Sequence, residues 1–296
     1  MNGLSLSEKR RSPGSLGAML EEMKRRFSAA GIDNPSTDAE AILCWALGWD
    51  RARLHARPDE ILPDEAAPRV AGAASRREIR EPLAYILEER EFWSLPFRVA
   101  PGSLIPRPET ELLVERAAAL LHGNKAPRIL DLGTGSGAIA VALAKELPGA
   151  RVVATDISEE TLRLARGNAG ANGVEDRVEF RRADWLAGLP EGESFDAVVS
   201  NPPYVPSGAI DSLMPEVSRF EPREALDGGP DGMNFLRKIV REAPARLRKG
   251  GVLLLEMDPA QVPRCVMELR LTRAFGEPEV RRDLTGRDRV LEAVKA

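Results

Sequence analysis

Apolar residues recur along this chain with two periods, and the change of period divides it. From Ser15 onward, Leu16, Met19, Leu20, Met23 and Phe27 return at steps of three and four, the spacing of one helix face, and Gly31 is placed to end that helix. Thr37 and Glu40 have capping-box spacing ahead of Ile42, Leu43, Ala46 and Leu47, and Gly48 predicts the second stop. Helical pattern continues from Asp64 to Leu87. Residues 1–14 are polar and unpatterned and read as a mobile tail, so 15–88 is predicted to form a small helical bundle.

Between Glu91 and Pro106 the period shortens. Phe92, Trp93, Leu95, Phe97 and Val99 alternate as a short hairpin does, which makes 89–106 the expected connector to a second domain over 107–296. Arg107, Pro108, Glu109 and Thr110 lead into a helix carrying Leu112, Leu113, Leu120 and Leu121. Seven strand-like runs follow among helical segments: Arg128 to Leu132, Arg151 to Thr155, Val178 to Arg182, Ala197 to Ser200, Val252 to Glu256, Val280 to Asp283 and Val290 to Val294. Such alternation predicts an α/β domain with crossover helices on both faces of its sheet. The last two runs flank a Thr285, Gly286 turn and are predicted to pair antiparallel.

At 296 residues and 43% hydrophobic content, the chain is long enough for two buried cores. No segment approaches the roughly 20 apolar residues of a membrane span, and the start is polar, not basic and then apolar; a cytoplasmic, membrane-free protein is expected. Cys44 and Cys265 are the only cysteines, too few and too separated for a disulfide framework or a thiolate cluster. His55 and His122, the only histidines, stand near no second ligand type, which argues against zinc and against histidine acid-base chemistry; no metal is expected. A net charge of −4 gives no electrostatic footprint for duplex DNA.

Two motifs carry candidate chemistry. Ile129 to Leu132 run into Gly133, Thr134, Gly135, Ser136 and Gly137, a glycine-rich strand-to-helix turn where backbone can approach a nucleoside cofactor; the spacing differs from the dinucleotide fingerprint and favours a methyl donor over NAD. Any wound α/β domain can also use such a turn. Asp156 ends the next strand, roughly 20 residues on, where a carboxylate accepts from ribose hydroxyls or caps the following helix. Asp184 and Trp185 follow the third strand, suited to an adenine amino group and ring, although a tryptophan is also ordinary core. After the fourth strand come Asn201, Pro202, Pro203 and Tyr204. This corner offers a side-chain amide, carbonyls free of competing N–H groups and an aromatic plate, a cradle for a flat NH2 group, unless it merely terminates the strand.

Amide nitrogen is a poor nucleophile because its lone pair is delocalised, as the roughly 18–20 kcal/mol rotation barrier of a peptide bond shows. Two acceptors on its N–H bonds, the Asn201 side-chain oxygen and the Pro202 carbonyl, favour a pyramidal nitrogen and face the positive charge that appears on methyl transfer. With orientation worth about 7–11 kcal/mol, positioning dominates and no strong base is needed.

With these motifs the chain resembles the bacterial peptide chain release factor glutamine N5-methyltransferases, class I enzymes dependent on S-adenosylmethionine. The likeness extends over Glu91 to Val99, Leu104 to Glu111 reading Leu-Ile-Pro-Arg-Pro-Glu-Thr-Glu, the glycine loop, Asp156, the Asn-Pro-Pro-Tyr corner, Glu221 with Pro222, and Arg282 to Val290. It implies a helical substrate-recognition domain followed by a seven-strand, Rossmann-like methyltransferase domain. It implies transfer of a methyl group to the glutamine of the Gly-Gly-Gln loop of class I release factors, with S-adenosylhomocysteine as product; apart from the resemblance, a monomer is expected. By the same resemblance Gly133, Thr134, Gly135, Ser136, Gly137, Asp156 and Trp185 contact the cofactor, and Asn201, Pro202, Pro203 and Tyr204 hold the glutamine, with Asn201 also near the donor methyl and catalytic. Arg107 to Glu111 match a motif that faces the active site, yet equally suit a helix start. The chain departs from the pattern at Glu88, where a glycine is expected, and at Met257 and Asp258, which replace a glycine-containing pair.

Other acceptors fit the same cradle. A ribosomal-protein glutamine and the exocyclic amine of adenine are both planar NH2 groups, the second disfavoured by the acidic charge balance. A cofactor-binding module without catalysis would have no use for an intact acceptor corner, and an oxidoreductase would bind nicotinamide instead.

Overall fold

The computed structural model describes Ser12 and residues 14–296, so the tail expected over 1–14 lies almost wholly outside the described residues. Two compact units divide at Leu87 and Glu88. The first is helical: α1 (Leu16–Ala29), α2 (Pro35–Leu47), α3 (Arg51–Ala56), α4 (Ala67–Glu78) and α5 (Leu83–Leu87). Met23, Phe27, Ile42, Leu43, Val70 and Ile86 fill its core. Ser15 caps α1 as the pattern suggests. The capping box expected at Thr37 and Glu40 does not form: Pro35 opens α2 two residues earlier, where its missing N–H costs nothing, and Glu40 instead faces His55 at 3.3 Å.

The second unit begins with the hairpin β1 (Glu89–Phe92) and β2 (Leu95–Arg98), then α6 (Glu111–Leu121), β3 (Arg128–Leu132), α7 (Ala138–Glu146), β4 (Arg151–Asp156), α8 (Glu159–Ala171), β5 (Val178–Arg182) and β6 (Phe195–Ser200). It continues with α9 (Pro215–Phe220), α10 (Asn234–Glu242), β7 (Leu247–Glu256), α11 (Val262–Thr272), β8 (Glu279–Arg282) and β9 (Asp288–Val294). Strands β3 to β9 form one seven-stranded sheet in the order β5-β4-β3-β6-β7-β9-β8, with β9 antiparallel to both neighbours. Because successive side chains alternate between faces, Ile129, Val152, Ala197 and Val252 pack on one side with α6 and α7, while Leu130, Val153, Val198 and Leu253 pack on the other with α10 and α11.

The hairpin is part of this unit and not a free connector. Phe92 and Phe97 are buried in the larger core cluster, ring centroids 6.0 Å apart and edge-on. Glu88 just before it has φ 59°, so the position where a glycine is expected does take the left-handed backbone that glycine favours. Asp258 does not: at φ −70° it caps the 3₁₀ turn Pro259–Gln261, and the departure there has no backbone cost.

Candidate active site

Strand order reverses beside β3, where the chain passes from β5 on one side to β6 on the other. In doubly wound sheets the crevice at such a reversal is where ligands bind. Register makes the consequence specific: Leu132 pairs with Ser200, whose hydroxyl donates to the Leu132 carbonyl at 2.7 Å. Gly133 and Asn201 therefore leave adjacent strand ends, and motifs far apart in the chain open into one cavity of about 590 Å³.

Gly133, Thr134, Gly135, Ser136, Asp156, Trp185, Asn201 and Pro203 all border that cavity. Gly137, Pro202 and Tyr204 do not. A Cβ on Gly137 would stand 3.1 Å from the Ala165 Cβ, so this glycine lets α7 start against α8. Tyr204 is turned to the protein: its hydroxyl donates to Glu256 Oε1 at 3.3 Å, and its carbonyl accepts from Gln261 Nε2 at 2.6 Å. Burial and the Glu256 charge push the Tyr204 phenol well above its usual range.

On the glycine-loop side, Asp156 Oδ2 accepts from the Gly135 N–H and Oδ1 from the Ser158 N–H, both at 3.0 Å. A carboxylate has about four lone-pair positions, so both oxygens remain able to accept from a diol. Gly133 lies against the Trp185 ring, 3.5 Å from where its Cβ would be, and Trp185 stacks on Phe235 with centroids 4.6 Å apart. These rings and Ile157 supply an apolar wall fit for a purine. Asp131 is fully buried; Thr134 Oγ1 donates to its Oδ2 at 2.6 Å, and Oδ1 has no partner among the described residues. Burial pushes the Asp131 carboxyl up to about 7. A bare buried oxygen is costly unless something polar comes to it.

On the acceptor side, Asn201 Nδ2 donates to Thr110 Oγ1 at 3.0 Å and Thr110 Oγ1 donates to Glu256 Oε2 at 2.7 Å. Asn201 Oδ1 is left as the acceptor available to a ligand. Arg107 also borders the cavity and is held by Glu221 at 2.5 Å; Glu221 accepts from the Ile105 N–H as well, pinning the Leu104 to Arg107 segment over the site. Burial raises the Glu221 carboxyl although Arg107 opposes the shift. Phe235 and Glu256 escaped the sequence reading, because one lies on an ordinary amphipathic helix and the other ends an apolar strand. Thr110 was visible within Arg107 to Glu111, as part of a motif that faces the active site or equally as a helix start, and its link to Asn201 was not.

Comparison with known proteins follows this division. A model of the PrmC N-terminal domain matches residues 18–87, and a methyltransferase domain model matches 124–268. The release factor glutamine methyltransferase of Cereibacter sphaeroides is 45% identical over 90% of this chain and 94% of its own length. The enzyme of the same name from Moorella thermoacetica is 43% identical over 95% and 99%. Among solved structures, the hMettl16 catalytic domain superposes with a TM-score of 0.57 at 17% identity, over 80% of this chain and 84% of that one, a likeness of fold alone.

Proposed function

Because this chain belongs to the release factor glutamine methyltransferases, we propose that it methylates the side-chain nitrogen, N5, of the Gly-Gly-Gln glutamine in class I release factors. S-adenosylmethionine is the donor and supplies an electrophilic sulfonium methyl; a new N–C bond forms as the S–C bond breaks, leaving S-adenosylhomocysteine. The single observation that carries this reading is the Leu132 to Ser200 register, which sets the glycine loop and the Asn-Pro-Pro-Tyr corner side by side on one cavity.

The residues present suit the donor. Gly133 and Gly135 give backbone access, the Trp185 and Phe235 rings suit adenine, and Asp156 has lone pairs for a ribose diol. Asn201 Oδ1, on the cavity, accepts one N–H of the glutamine amide, and the carbonyl of the next residue, Pro202, which does not itself border the cavity, takes the other once the glutamine enters the corner. Both then oppose the positive charge that develops on nitrogen before its proton leaves to solvent. Pro203 borders the acceptor, and Tyr204, held by Glu256, stiffens the corner instead of stacking on the substrate. No metal enters this reading. The protein works as a cytoplasmic monomer on a protein substrate, and among its described residues no helix is long and apolar enough to cross a membrane.

Incubation with labelled donor and either release factor or DNA tests the substrate. Label is expected on the release factor, as one methyl on the loop glutamine by mass spectrometry; label in DNA alone sinks the proposal. Asn201→Ala is expected to lower turnover by about 100-fold or more while donor affinity stays within a few-fold. Unchanged turnover would remove Asn201 from the mechanism.

A further inference from the structure

We propose that Thr110 and Glu256 are positioning residues that hold the Asn201 carboxamide with its oxygen, and not its NH2 group, facing the acceptor. The inference rests on the role given to Asn201 above and concerns which way that amide points.

The polarity follows from counting hydrogens. An ionised Glu256 can only accept, and Thr110 Oγ1 lies 2.7 Å from its Oε2, so the single threonine hydroxyl hydrogen is committed there. Thr110 Oγ1 can then only accept from its other neighbour, 3.0 Å away on Asn201. That neighbour has to be the NH2 group; a flipped amide would set two oxygens against each other with no proton between them. Thr110 is 5% exposed and Glu256 1% exposed, so an oxygen-to-oxygen contact there carries the cost of a buried unpaired polar group. Tyr204 secures the other carboxylate oxygen. Fixed this way, Asn201 offers an acceptor and suits the NH2 of a glutamine. The flipped amide would offer a donor and suit the oxygen of a glutamate.

The relay is reversible by one proton. Burial pushes the Glu256 carboxyl up to about 7; Arg289 from β9 opposes the shift, Glu109 adds to it, and Thr110 and Tyr204 donate to the ionised form. Asp283 faces Arg289, and Arg107 faces Tyr204. A protonated Glu256 donates to Thr110, which frees the threonine hydrogen to point at Asn201 and admits the flipped amide. Turnover is therefore expected to fall as pH drops through about 7.

The test is a comparison of Thr110→Val with Thr110→Ser on a release factor substrate, with donor affinity and melting temperature measured beside kcat and KM. Valine keeps the volume and removes the hydroxyl; serine keeps the hydroxyl. Thr110→Val is expected to lose about 10- to 100-fold in kcat, with donor affinity unchanged, and to lose the acid limb of the pH profile. Thr110→Ser is expected to retain both kcat, within about threefold, and the limb. Wild-type kcat in Thr110→Val, or serine failing along with valine while folded, overturns the positioning role. Absence of methylation by the wild-type enzyme overturns the proposed function itself, a separate result.

Discussion

Glu88 stands in the left-handed region with φ 59°, exposed, with its carbonyl accepting from the Val99 N–H at 3.2 Å. An L-residue there costs about 1–2 kcal/mol, against roughly 0.5–1 kcal/mol of extra chain entropy for glycine. Glu88→Gly is expected to stabilise the protein by about 0.5–1 kcal/mol, read as a rise in the urea midpoint. Trp185 also has positive φ, 57°, but its ring packs on Gly133 and Phe235 at the cavity, so its strain belongs to the site. The resemblance flagged Glu88 as standing at a glycine position, whereas nothing in the sequence marked Trp185 as strained, because its φ depends on what the neighbouring segments impose. Chemistry-bearing types at strand ends are a different matter. Asp156, Trp185 and Asn201 could be placed at strand ends, and so at the cavity they border, because strand boundaries are set by short apolar runs within this domain.

At the scale of elements, the hairpin has a function that its alternation did not suggest. Asn168 on α8 is 1% exposed; its Nδ2 donates to the Arg98 carbonyl at 3.0 Å and the Ser136 carbonyl at 2.8 Å, while its Oδ1 accepts from the Arg98 N–H at 2.8 Å. One side chain thus ties β2 to the glycine loop. Asn168→Leu, nearly isosteric, leaves three backbone groups without partners and is expected to cost at least about 3 kcal/mol and to weaken donor binding, checked by urea unfolding and calorimetry. The acceptor corner is buttressed likewise. Gln261 Nε2 donates to the Tyr204 and Gly232 carbonyls, and a Cβ on Gly232, at φ 73°, would meet Gln261 Nε2 at 2.2 Å and the Tyr204 oxygen at 2.3 Å. Gly232→Ala is expected to lower kcat more than it weakens donor binding, since the displaced backbone is that of the corner.

For the whole molecule, two buried carboxyls set a pH slope. The Asp131 and Glu256 carboxyls are both pushed up to about 7 by burial, from ordinary values near 4, so between those values the folded form holds protons that the unfolded form has released. Stability from these two groups is therefore fully present at the acid end of that window and falls as pH rises through it. Asp283, held down to about 2 first by the Thr285 hydroxyl, acts oppositely and only at lower pH. Asp131→Asn is expected to flatten the decline, so that its melting temperature gains on wild type as pH rises from about 5 to about 8.

The sequence by itself determined the two-part organisation, the seven strands in their order, although β7 begins five residues before its apolar run, and the two motifs that meet at one cavity. Apolar period and glycine placement are local properties, and local properties survive in a linear string. Tertiary structure decided what those motifs mean together. The β3 to β6 register made neighbours of Gly133 and Asn201, and the turn that leads into α6 brought Thr110 to the Asn201 amide. Burial gave Asp131 and Glu256 their altered acidity. Each of these depends on which distant segments share an interior, because pairing, burial and hydrogen-bond polarity are relations between residues and are written in no single one of them.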